Sequence, residues 1–346
     1  MRAFTEAARV LPELADLFEV LEVFGDKAHA EVLATVEHDG VVFPIIGLIV
    51  GARRPEAPTL ALVGGVHGLE RIGTRVVLAA LRTLGQFLAW DQVLSRALED
   101  VRLIALPLVN PVGMWLHRRS NGRHIDLMRN APGRTEGLAT PLLGGHRISP
   151  WLPWFAGDVA QDGLEIEALA LCDFIRRWAY PASPAIVLDV HSGFGMVDRL
   201  WFPYAYTRRP FPSLAEAYAL GRLLDDTLPN HVYALEPMSR NYIVQGDLWD
   251  YLYDEQRTSG SGGPFMPLTL ELGSWLWVKK NPRQLFDVLG GFNPIRPHRL
   301  RRTLRRHLPL IEFLLRAVAG GQAWTQFEAH ERQRLESEAF RQWFAL

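Results

Sequence analysis

The chain has 346 residues, 48% of them hydrophobic, enough to bury a substantial core in one large α/β unit or two ordinary ones. Its 37 Lys and Arg nearly cancel its 38 Asp and Glu, leaving a net charge of −1 and no overall field to draw nucleic acid or an acidic membrane. Cys172 is the single cysteine, so no internal disulfide forms, and it lies in the apolar run 168–174, where a small buried residue fits.

Residues 1–25 carry Glu6, Glu13, Asp16, Glu19 and Glu22 and lack the continuous apolar stretch of a secretion signal. Nowhere does the chain hold about 18 consecutive uncharged apolar residues, so a cytoplasmic location without a membrane partner is expected. After an amphipathic opening helix, residues 31–37 and 41–50 read as extended segments around the turn His38-Asp39-Gly40. Residues 59–63 form an apolar strand ending in Gly64 and Gly65, residues 72–88 have helical periodicity, and 101–109 is a second buried strand. Later come a helix over 167–178, strands over 185–190 and 200–204, a helix over 214–224 and a strand over 267–272. This alternation predicts an α/β fold with a mixed, largely parallel twisted sheet sandwiched between helices. Ligands in such sheets gather at the C-terminal ends of the strands.

Residues 131–162, rich in Gly, Pro and Trp, read as a long ordered loop shaping a cleft. Residues 258–264, with three glycines and two serines, read as a flexible connection. Six arginines lie between Arg296 and Arg306, but Leu300, Leu304, Leu308, Ile311 and Leu315 recur at helical spacing, so these arginines are expected on the wet face of an amphipathic helix. The segment 320–346 reads as a C-terminal helical extension of a single domain spanning 1–346.

Three groups of residues stand where apolar strands run out. His67 and Glu70 follow the strand 59–63, offering an imidazole nitrogen and a carboxylate oxygen three residues apart. His191 ends the strand 185–190 and offers a third metal ligand. Glu271 is a carboxylate inside the apolar strand 267–272, a costly position unless it is paired or functional. Between these groups lie Asn110-Pro111-Val112-Gly113, Arg119, Asn121 and Asp126-Leu127-Met128-Arg129-Asn130.

These separated motifs, in this order from Leu60 to Gly273, resemble the zinc carboxypeptidase family, nearest its bacterial peptide-amidase branch. The resemblance implies one Zn2+ per chain held by His67, Glu70 and His191, with Asp126 accepting the free N–H of His67 and fixing its tautomer. It makes Glu271 the general base for the water at the metal, Arg119 the donor that stabilises the oxyanion, and Arg129 the grip on a substrate carboxylate. The Tyr242-to-Asp250 interval resembles the family's mobile tyrosine loop, so Tyr242 is expected to close over substrate and Trp249 to line a side-chain pocket.

One position departs from the family pattern: Met128 stands where an Asn normally helps bind a terminal carboxylate, and Met donates no hydrogen bond. Bond cleavage is therefore expected to persist with altered recognition of the leaving side, Arg118 or Arg123 supplying a substitute contact. The expected activity is hydrolysis of an amide bond in a small peptide-like substrate such as a muropeptide fragment. An N-acyl amino acid deacylase resembling aspartoacylase and succinylglutamate desuccinylase is the alternative within hydrolases. A binding protein on the same fold without turnover is the alternative from another class.

Overall fold

The structure, a computed structural model, describes residues 2–133 and 139–345. Among the described residues eight strands form one sheet: β1 (Ala28–His38), β2 (Val41–Gly51), β3 (Thr59–Gly64), β4 (Arg102–Leu106), β5 (Ala185–Ser192), β6 (Arg199–Phe202), β7 (Ala234–Pro237) and β8 (Phe265–Leu272), in the order β1-β2-β4-β3-β5-β8-β6-β7. The central strands β4, β3, β5 and β8 run parallel, while β2 on one side and β6 on the other pair antiparallel to them. Every residue of β3, β4 and β5 is buried, because helices and loops cover both faces. Uninterrupted apolar runs are what such strands require.

The amphipathic helix Arg71–Phe87 packs on β3 and β5, flanked by the helices Pro12–Phe24 and Pro297–Ala319. Its Gly73 permits the closest approach, since a Cβ there would lie 2.2 Å from the Val190 carbonyl oxygen on β5. The helices Ile166–Trp178 and Leu248–Ser259 pack against β1, β2 and β8, and the final helix Ala329–Trp343 packs on Leu214–Thr227 with Trp343 buried. The arginine-rich helix is amphipathic as expected, burying Thr303, His307, Leu310, Ile311 and Leu314. Among the described residues no single helix is long and apolar enough to cross a membrane.

Several boundaries move. The strand expected over 101–109 ends at Leu106, where Pro107 removes a ladder donor. Helices Gln92–Asp100 and Leu248–Ser259 were not expected, yet each opens on an aspartate, Asp91 or Asp247, whose carboxylate accepts two backbone N–H groups. The 258–264 connection is pinned rather than flexible: Gly260 ends the helix at φ +64°, and the Gln256 amide donates to the Ser261 and Gly263 carbonyls. The cleft loop is tied by a bridge between His146 and Phe155, and it contains a short helix, Val159–Asp162; its residues 134–138 lie outside the described residues.

Candidate metal centre and active site

Beyond β3 the chain turns through Gly65, at φ +67°, and delivers His67 and Glu70 just before the helix Arg71–Phe87. The Asn110-Pro111-Val112-Gly113 turn clamps this corner. Asn110 accepts the Gly113 N–H at 2.8 Å and donates to the Val66 carbonyl at 3.2 Å. Backbones meet so closely here that a Cβ on Gly68 would lie 2.0 Å from the Gly113 carbonyl carbon, and one on Gly113 would lie 2.3 Å from the Ser120 carbonyl oxygen, which is why both positions are glycine. From β5 comes His191, and its register partner across β8 is Glu271. Two strand ends and one strand-to-helix corner thus converge.

His67 Nδ1 lies 2.9 Å from Glu70 Oε1, His191 Nδ1 lies 3.1 Å from Glu70 Oε2, and the two Nδ1 atoms face each other at 3.1 Å. All three side chains are buried. Each ring is held from behind by a carboxylate: Asp126 Oδ1 lies 3.2 Å from His67 Nε2, and Asp189 Oδ2 lies 2.6 Å from His191 Nε2. Protons placed on the two Nε2 atoms turn both Nδ1 lone pairs inward toward the Glu70 carboxylate. Two imidazole lone pairs and a carboxylate aimed at one another repel unless a cation stands among them.

Arg119 borders this cluster, its Nε donating to Asp126 Oδ2 at 2.7 Å and its Nη1 to Glu70 Oε1 at 3.3 Å. Burial works against the guanidinium charge, but Asp126 and Glu70 outweigh it and raise its pKa. For Asp126, burial is likewise overcome, by Arg119 and His67, and its carboxyl sits well below the usual range. Glu271 behaves oppositely: burial, then the neighbouring charge of Glu70, push its carboxyl up to about 8. A cation in the ligand set draws that value down again. One Glu271 oxygen, Oε1, accepts the Phe194 N–H at 2.9 Å. Tyr242 packs its ring on Phe194 and Trp201, and burial pushes its phenol up to about 12, so it stays a proton donor at neutral pH.

The zinc carboxypeptidase family model matches residues 36–275. The chain belongs to the zinc carboxypeptidase family. A curated relative, carboxypeptidase SOL1 of Arabidopsis thaliana, is 29% identical over 75 residues, which span 22% of this chain and 15% of that protein's length. Among solved structures, bovine thrombin-activatable fibrinolysis inhibitor in complex with tick carboxypeptidase inhibitor superposes with a TM-score of 0.64 at 17% identity, over 90% of this chain and 97% of that one. Carboxypeptidase A from Helicoverpa armigera gives 0.60 at 20% identity, over 88% and 71%. At these identities the structures speak for the fold.

The donor set fits the family's metal. The ligand atoms of His67, Glu70 and His191 all lie within 4.8 Å of one another, and two nitrogens plus a carboxylate, the three protein ligands of a catalytic zinc site, suit one zinc ion per chain.

Residues expected around this zinc carboxypeptidase site fall into two groups. His67, Glu70, His191, Glu271, Asp126, Arg119 and Tyr242 come together. Arg129 and Trp249 are placed differently from the expectation. Arg129 is only 4% exposed and spends its guanidinium on the Leu143 carbonyl, twice, and on the Met128 carbonyl. Three of its five N–H groups are used in this way, one each on Nε, Nη1 and Nη2. Trp249, 3% exposed, borders a cavity of only about 10 Å3 and donates its indole N–H to Asp189 Oδ2 at 2.8 Å. It braces the carboxylate behind His191. Of the substitute contacts, Arg123 pairs with Glu165 and Arg118 with His124. Asp189 was not singled out from the sequence, although it was visible as an acid on a buried strand, two residues before His191 and hence on the same face.

Proposed function

We propose that this chain hydrolyses an amide bond in a small peptide-like molecule, with one zinc ion held by His67, Glu70 and His191. The observation that carries the reading is the pairing of β5 with β8, which sets the carboxylate of Glu271 beside His191 while leaving its Oε2 uncommitted. Zinc, when bound there, polarises a carbonyl oxygen and makes water more acidic. Glu271 Oε2 takes a proton from the attacking water as the new C–O bond forms. The same group then returns that proton to the leaving nitrogen as the C–N bond breaks. Arg119, fixed by Asp126 and Glu70 through Nε and Nη1, keeps Nη2 for the oxygen on which negative charge develops. Tyr242 donates a hydrogen bond to substrate, because its hydroxyl does not ionise near neutrality.

Relatives named as carboxypeptidases support a peptide substrate. The commitment of Arg129 to backbone carbonyls, together with Met128, argues for an amidase outcome over removal of a residue with a free carboxylate. The test is zinc quantitation on the purified chain followed by a panel of muropeptides, dipeptides and N-acyl amino acids with products identified by mass spectrometry. About one zinc per chain and release of an amino acid or peptide amine are expected. Turnover of N-acyl amino acids alone, with release of a free acid, replaces this reading with the deacylase. A zinc-loaded protein that turns over nothing is a binding protein.

A further inference from the structure

Charge is spread unevenly along this nearly neutral chain. Between residues 275 and 306 there are nine Lys and Arg and one acid, Asp287, so this stretch carries +8 and leaves −9 on the remainder of a chain whose total is −1. Two of its elements matter here, the short helix Trp275–Lys280 and the start of the helix Pro297–Ala319. They enclose a cavity of about 220 Å3, into which Lys280, His298, Arg299, Arg302 and Arg306 all face. A wet helix face alone does not demand this, since solvent-facing cations spread apart when nothing gathers them.

Two of the five are already engaged in ways that build the walls. Arg299 donates to the Trp277 carbonyl at 3.1 Å and anchors the short helix, while Arg306 pairs with Asp198 at 3.1 Å. Lys280, His298 and Arg302 make no ion pair among the described residues. Three unpaired donors therefore converge on one concave space. Thr303 adds a hydroxyl, and Trp277 closes the side with an apolar surface. Arg and Lys in such an arrangement suit a compact oxyanion with several acceptor oxygens. We propose that this cavity binds the phosphate groups of a small phosphorylated molecule. The site does not depend on the zinc reading, because none of its residues belongs to the metal cluster.

The test is isothermal titration calorimetry of the zinc-loaded chain with inorganic pyrophosphate, repeated on the double variant K280E/R302E. Both substituted side chains lack partners, so the variant is expected to fold, which circular dichroism checks. The proposal expects saturable binding of one pyrophosphate, weakened by roughly ten-fold or more in the variant and weakened in both proteins as NaCl rises from about 50 to about 300 mM. Equal binding by the two proteins overturns it, since pyrophosphate is then held at the zinc. Absence of saturable pyrophosphate binding overturns it as well, and if duplex DNA or phosphatidylserine vesicles bind instead, the patch serves a macromolecular polyanion.

Discussion

The two ends of the central strands bury charge in opposite ways. At the N-terminal edge Arg102, wholly buried at the start of β4, donates to Thr59 Oγ1 and to the carbonyls of Arg54, Pro55 and Trp178, with its guanidinium over the Trp178 ring. Its partners are three backbone carbonyls and one hydroxyl, and burial, with the neighbouring charges of Arg53 and Arg54, lowers its pKa only to about 10, so it stays charged. At the C-terminal edge His67, Glu70 and His191 have one another as partners, with Asp126 and Asp189 behind the two rings, and the donor atoms of the three are directed at a common point. A buried charge closed off by backbone serves stability. A buried cluster left electrostatically incomplete serves a ligand.

Breaking this comparison begins at Glu271. Glu271→Gln keeps the side-chain shape and the Phe194 contact but removes the proton acceptor. Turnover is expected to fall by about 1000-fold, or about 4 kcal/mol in the barrier, with zinc content unchanged. Loss of zinc in that variant, or undiminished turnover, removes Glu271 from the role of base. Arg102→Met is the opposite case. It strips hydrogen bonds from three partly buried carbonyls and from the buried Thr59 hydroxyl and is expected to cost about 3 kcal/mol in urea unfolding, while folded protein keeps its turnover. If Arg102→Met instead abolished turnover without loss of stability, the two ends would not differ in kind.

Much of the C-terminal edge was legible in the sequence because strand ends are. The runs 59–63 and 185–190 are so apolar that the polar residues following them mark where each strand leaves the core, and Glu271 is conspicuous inside one. The contacts of Arg129 and Trp249 that the sequence did not suggest join distant segments. Arg129 donates to the Leu143 carbonyl, and no local pattern says which carbonyl a guanidinium will meet. Trp249 is expected in a pocket through the Tyr242-to-Asp250 interval, whereas its indole N–H meets a buried carboxylate on a strand sixty residues away in sequence, Asp189. Phe194 acts on Glu271 through its backbone N–H, to which side-chain identity gives no clue. The helix Leu248–Ser259 is a different omission, since Asp247 was a readable cap with apolar residues behind it.

Histidines sharpen the same contrast. His307 is buried like His67 and His191, but its partner is a neutral phenol, Tyr233, 2.9 Å from Nδ1. Burial pushes its pKa down to about 4. The unfolded chain binds a proton near pH 6.5 and the folded chain does not until about pH 4, so the unfolded state holds more protons throughout that window. Stability is therefore full above about pH 6.5 and declines as pH falls toward about 4, by on the order of 3 kcal/mol. Urea midpoints measured across this range should fall less steeply in His307→Gln, whose side chain does not titrate. An identical pH profile in the two proteins would show that the decline comes from other groups.

The smallest expected effect tests whether the carboxylates behind the metal histidines act as a matched pair. Asp189 receives His191 Nε2 at 2.6 Å and also the Trp249 indole, while Asp126 receives His67 Nε2 at 3.2 Å and shares itself with Arg119 and the Met128 N–H. Asp189→Asn keeps an acceptor oxygen but removes the negative charge, so His191 becomes a weaker ligand and zinc affinity is expected to fall about 10-fold to 100-fold, or about 1.4 to 3 kcal/mol. Trp249→Phe removes only a neutral donor to the same oxygen, and its expected loss is smaller, within about ten-fold. Competition with a chelator of known affinity measures both. A larger loss from Trp249→Phe than from Asp189→Asn would mean that the indole, by packing, sets the position of the His191 ring, and that the carboxylate's charge matters less than its placement.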